Sequence, residues 1–130
     1  MELILPIIIY LYFMNIRKYE KKYYDIWDNF VRESTNGTIF HTRKFLNYHG
    51  DSFNDTSILI YDKNILCCVF PCCKVNEKYY SHKGSSHGGP VISNKYYNAN
   101  KINNIIECII KYYNYNLQVR IPESIFSNKL

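Results

Sequence analysis

The chain has 130 residues, of which 47% are apolar, 21% charged and 17% aromatic. This composition excludes an intrinsically disordered chain, and the length suits one lobe with a core large enough to fold without disulfide staples rather than a two-domain enzyme. The net charge is +5, but the sixteen Lys and Arg are scattered singly or in pairs. No block marks a nucleic-acid patch, and DNA is not an expected partner. Asn, Lys, Ile, Tyr and Phe dominate and all come from A/T-rich codons, so the fourteen Tyr are discounted as a functional signal.

Leu3 to Met14 (LILPIIIYLYFM) is an apolar run shorter than the ~20 residues of a bilayer-crossing helix. Glu2 before it and Asn15-Ile16-Arg17-Lys18 after it do not fit a secretory signal. Residues 1–13 read as an apolar extension upstream of a preferred start at Met14, with attachment to a membrane surface as the weaker alternative. Residues 14–130 read as the folded lobe. The five Cys include two vicinal pairs, Cys67-Cys68 and Cys72-Cys73, a poor disulfide framework that points to reduced thiols in a cytoplasm.

After Met14, a short strand is expected over 16–19, and Tyr23 to Glu33 is expected as a helix with Ile26, Trp27, Phe30 and Val31 on one face. Ser34-Thr35-Asn36-Gly37 is a turn, and Thr42 caps a second short helix bearing Phe45, Leu46 and Tyr48. Thr56 to Tyr61, the turn Asp62-Lys63-Asn64 and the long apolar strand Ile65 to Val75 read as a hairpin, extended through Asn76-Glu77-Lys78 to Tyr79-Tyr80-Ser81 as a three-stranded meander. Pro71 lacks an N–H, so a bulge or an unpaired position is expected there. A Gly-rich loop over 84–90 leads to a helix over 100–113, then a strand over 117–121. The fold class is α/β (α+β), with a largely antiparallel sheet, flanking helices and one crossover.

The segment Ser81-His82-Lys83-Gly84-Ser85-Ser86-His87-Gly88-Gly89-Pro90 is the most informative stretch, because glycines let backbone N–H groups approach an anionic or carbonyl oxygen closely. Its adjacent Gly88-Gly89 fits neither a phosphate-binding loop nor the dinucleotide fingerprint, and a plain long connection is the competing reading. Two His five apart and vicinal Cys complete no zinc-ligand set, so no metal is expected. Strand alternation sends Cys67 and Cys73 to one face and Cys68 and Cys72 to the other, as small core residues. His41 and His49 are each a candidate general base or a hydrogen-bonded structural His.

Trp27-Asp28-x-Phe30-Val31, then Ser34-x-Asn36-Gly37-Thr38-x-Phe40-His41-x-Arg43-x-Phe45-Leu46-x-Tyr48-His49, Phe53-x-Asp55-x-Ser57, Phe70-Pro71, Ser81-His82-x-Gly84, Gly88-Gly89 and Arg120-x-Pro122 together resemble one family. It is that of the GNAT-fold acyltransferases related to the Fem-type peptidoglycan-bridge aminoacyltransferases. The resemblance covers roughly residues 14 to 126. It implies a GNAT-like sheet whose splayed or bulged central strands receive an acyl donor near Phe70-Pro71 and the 81–89 loop. Substrate-binding positions are then Phe70, Ser81, Gly84, Ser85, Gly88 and Gly89, with His82 or His87 as the catalytic base. The donor is acyl-coenzyme A or aminoacyl-tRNA. The Arg/Gln-x-x-Gly-x-Gly/Ala turn that usually binds the coenzyme A pyrophosphate is missing, whereas Fem-type relatives use aminoacyl-tRNA. The acceptor is a small-molecule or cell-wall-precursor amine. Fem-type proteins contain two such domains, so the chain is expected to be an N-terminal lobe that works with a second domain or as a homo-oligomer. The alternative is a non-catalytic remnant or binding lobe.

Overall fold

The structure is a computed structural model describing residues 14–48, 54–81 and 88–119. Helix α1 (Tyr24–Glu33) buries Trp27 and Val31 and half-buries Phe30, as the sequence spacing predicts. Ile26, expected on the same face, is 45% exposed, because one residue is a rotation of about 100° around a helix. The helix ends at Ser34, whose hydroxyl donates to the Phe30 carbonyl at 2.8 Å. The chain then reverses at Gly37, where a Cβ would collide with the Val31 carbonyl oxygen, a closeness only glycine allows. Thr38 caps a single 3-10 turn (Ile39–His41), and Thr42 caps α2 (Arg43–Leu46) by accepting from the Phe45 N–H at 3.3 Å. Leu46 is buried, but Tyr48, expected beside it, points outward.

The strands are β1 (Met14–Lys18), β2 (Asn54–Asp55), β3 (Ile58–Asp62), β4 (Ile65–Phe70), β5 (Cys73–Val75), β6 (Lys78–Tyr80), β7 (Val91–Ile92) and β8 (Leu117–Gln118). They form two sheets, ordered β1-β3-β4-β7 and β2-β5-β6-β8. Every pairing is antiparallel except β6 with β8, which run parallel. The crossover to β8 passes through α3 (Ala99–Tyr112), capped by the Asn98 side chain accepting from the Lys101 N–H at 3.1 Å. Residues from 120 onward of the expected last strand, and the apolar run before Met14, lie outside the described residues.

The β3–β4 hairpin forms as predicted and turns at Lys63, whose φ is 58°. The single strand expected over Ile65 to Val75 does not form. The chain leaves the first sheet at Pro71, which has no N–H to offer a ladder, and resumes pairing at Cys73 in the second sheet. The meander is therefore divided between two sheets. The bulge itself falls earlier, at Cys67: Ile60 pairs with Cys68 and Tyr61 with Leu66, leaving Cys67 as the extra residue. That extra residue also corrects the expected alternation of thiols, since Cys67 and Cys68 both pack in one cluster with Phe70 and Cys72.

The core lies on both faces of the first sheet. On one face, Ile105, Ile109 and Tyr113 from the α3 region meet Ile58, Ile60 and Phe70. On the other, Trp27, Val31 and Leu46 from α1 and α2 meet Leu59, Val69 and Val91. The molecule is mixed α+β, with two mostly antiparallel sheets and helices on either side. Among the described residues no helix is long and apolar enough to cross a membrane.

Candidate functional site

The place where the two sheets part is built by residues far apart in sequence. Ser57, buried just before β3, accepts at Oγ from the Cys72 N–H at 3.0 Å and donates to the Cys72 carbonyl at 3.3 Å. The Thr56 N–H donates to that same carbonyl at 2.8 Å. The chain can thus leave one sheet for the other at Pro71 without stranding the polar groups of Cys72. The Arg43 guanidinium reaches the site from the α2 side. It is 1% exposed, pairs with Asp55 through Nη2, donates to Ser57 Oγ at 3.3 Å and to Asn47 Oδ1 at 3.0 Å, and lies 3.7 Å above the Tyr19 ring. Burial works to raise the Asp55 pKa, but the Arg43 charge and the Ser57 hydrogen bonds outweigh it and hold the carboxyl below its ordinary value.

The motif residues around α1 hold this frame together. Trp27 Nε1 donates to the His41 carbonyl at 2.7 Å, and Asp28 Oδ1 accepts from the Arg43 N–H at 2.7 Å. His41, a candidate base, is buried, and its Nδ1 accepts from the Thr38 N–H at 3.1 Å as part of its own turn's cap. That contact explains the residue structurally. The Asn36 side chain spans two positions of the neighbouring segment, donating to the Pro90 carbonyl at 2.9 Å and accepting from the Ile92 N–H at 3.0 Å. It thereby fixes where the Gly-rich segment re-enters the sheet.

That segment leads from β6 to β7, not directly to a helix as its sequence neighbours imply. The two strands pair with the two halves of the parted β4–β5 segment, so the described ends of the loop, Ser81 and Gly88, lie where the sheets separate. Ser81 is buried, and its N–H donates to the Gln118 carbonyl at 2.8 Å. Gly88 packs against Ser81 so closely that a Cβ would collide with the Ser81 carbonyl oxygen. Gly89 is buried beside it. His82, Gly84, Ser85 and His87 lie outside the described residues, as does His49. Phe70 is wholly buried at the end of β4, its ring 5.8 Å from that of Tyr113.

On the α3 side of the parting is a cavity of about 210 Å³ lined by Lys18, Thr56, Tyr79, Tyr112 and Tyr113. The Tyr113 hydroxyl donates to the Thr56 carbonyl at 2.6 Å, and its ring stands 4.9 Å from those of both Tyr79 and Tyr112. Burial pushes the Tyr113 hydroxyl pKa far up and that of Cys72 to about 11, so both groups keep their protons at neutral pH. Burial likewise pushes Cys67 up to about 12 and Cys68 well above the ordinary thiol. The strand cysteines are thus core residues rather than nucleophiles. Tyr113, Thr56 and Tyr79 are not legible as site residues in the sequence, because their Tyr and Thr are common types joined only by folding. Among the described residues no group of His, Cys, Asp and Glu is arranged to hold a metal ion.

The chain matches no protein-family model and no curated protein.

Proposed function

We propose that the chain is an acyl- or aminoacyltransferase lobe of GNAT-like fold that delivers an acyl group to an amine. The observation that carries this reading is the parting of the central strand at Pro71-Cys72, with a cavity on one face and the close approach of Ser81 and Gly88 beside it. At such a gap a backbone amide is bonded outside the sheet ladder, here the buried Cys72 N–H to Ser57 Oγ. Here a donor carbonyl would displace Ser57 Oγ from the Cys72 N–H. The acceptor nitrogen attacks the carbonyl carbon and the C–N bond forms. The bond to the ester oxygen or thioester sulfur breaks, and that leaving atom takes up a proton. His82 or His87, carried by the loop, removes the proton from the attacking nitrogen. Aminoacyl-tRNA is the preferred donor over acyl-coenzyme A because the pyrophosphate-binding turn is missing from the sequence. The acceptor is a small-molecule or cell-wall-precursor amine, and the five cysteines, all free, suit a cytoplasmic setting.

A second reading, a binding lobe that completes its chemistry with a second domain or another copy, is favoured by one observation. Two buried titratable groups beside the cavity, Cys72 and Tyr113, are held protonated by burial and offer no base near neutral pH. The two readings separate in one experiment. The full chain is titrated with charged tRNA and with acetyl-coenzyme A, following Trp27 fluorescence and calorimetric heat, and transfer to amines is then assayed with His82→Ala and His87→Ala. Donor binding, with transfer lost in one His variant of unchanged melting temperature, supports the transferase. Donor binding without transfer supports the binding lobe, and binding of neither donor rejects both.

A further inference from the structure

We propose that the cavity beside α3 is a binding site for a small carboxylate on a short apolar body. The inference stands on the cavity's own chemistry and does not require the transferase reading. Its volume, about 210 Å³, equals that of roughly seven liquid waters and lies below the usual range for drug-sized ligands. An acid of amino-acid size fits. The Tyr79, Tyr112 and Tyr113 rings supply the surface for an apolar body, with Tyr113 fixed by its hydrogen bond to the Thr56 carbonyl.

The charge of the ligand follows from the cations. Lys18 lines the cavity and forms no ion pair among the described residues. Lys74 stands 5.4 Å from the centre of the Tyr79 ring and is likewise without a carboxylate partner there. None of the five lining residues is acidic. The carboxylate that acts on Tyr113, Asp55, is already neutralised by Arg43. A cationic ligand would meet like charge, and an anion meets an ammonium that has no carboxylate partner among the described residues.

Thr56 supplies a second, independent observation. Its hydroxyl is buried and meets the Cys72 thiol, a weak hydrogen-bonding group, as its recorded side-chain neighbour. A buried hydroxyl served only weakly, by a thiol, calls for an explanation. It gives up only a weak contact with sulfur by turning to donate to a ligand oxygen, so the carboxylate can be met by both Lys18 and Thr56.

The test titrates the full chain with sodium benzoate at fixed ionic strength and follows amide shifts of Thr56, Tyr79 and Tyr113 by NMR. Benzylamine, with the same ring and the opposite charge, is the comparison probe. Saturable shifts with benzoate and none with benzylamine are expected. Lys18→Met should weaken benzoate binding about tenfold, as loss of one charged contact does. Thr56→Val should weaken it severalfold while leaving the melting temperature close to that of the unaltered chain, since the deleted hydroxyl has only a weak thiol partner. Benzylamine binding as tightly as benzoate, benzoate affinity unchanged in Lys18→Met, or no shift at these residues by tens of millimolar benzoate would each overturn the proposal.

Discussion

Trp27 shows how one side chain does two jobs at once. Its ring is fully buried, meets Tyr19 edge-on at 5.4 Å, and its indole N–H ties α1 to the His41 carbonyl. Trp27→Ala should therefore cost ~3–5 kcal/mol in urea unfolding, as large-to-small core changes do. A loss under about 1 kcal/mol would mean the site collapses without penalty. Asp55 makes a prediction about acid. Its folded pKa lies below the ordinary 3.8, so its contribution to stability is complete above that value and disappears as pH falls through the folded pKa. Asp55→Asn should flatten the acid limb of the stability curve. The buried thiols act at the other end. Cys72 is raised from 9.0 to about 11, so the stability it contributes is full below pH 9.0 and lost as pH rises through about 11. Cys72→Ala should reduce alkaline destabilisation in that window, measured as melting temperature against pH.

At the scale of elements, the helices were the legible part. The apolar positions 105, 109 and 113 recur at helical spacing and all face the core, and Asn98 and Thr42 cap as their types predict. The hairpin over Lys63-Asn64 was equally clear from its turn residues. What the sequence does not reveal is the division of the segment Ile65 to Val75. Cys67 to Cys73 are all buried, so no polar alternation marks where one strand ends. The break at Pro71 is accommodated by Ser57, fifteen residues from Cys72, which satisfies the Cys72 backbone. Ser57→Ala would leave the Cys72 N–H unpaired in the interior. It should cost about 1–3 kcal/mol and speed hydrogen exchange at Cys72 selectively. Uniform acceleration across β4 and β5 would contradict a local role.

At the scale of the molecule, the motif residues divide into two groups. Trp27, Asp28, Asn36, Gly37, Arg43, Asp55 and Ser57 form a frame that fixes the parting of the sheets and the return of the Gly-rich segment. Phe70, Ser81, Gly88 and Gly89 lie where that frame leads. The cavity was beyond sequence reasoning because Lys18, Thr56, Tyr79 and Tyr112 come from four separate parts of the chain. A protein beginning at Met14 should keep the circular-dichroism spectrum and melting temperature of the full chain, whereas a drop of several degrees would make the apolar extension part of the core. The central claim, that an acyl donor enters where the sheets part, is tested most directly by hydrogen exchange of the full chain with and without saturating aminoacyl-tRNA. The account predicts slowed exchange confined to peptides covering 54–60, 70–75 and 79–91. Protection confined to the α1 and α2 face, or none with the donor bound, would contradict it.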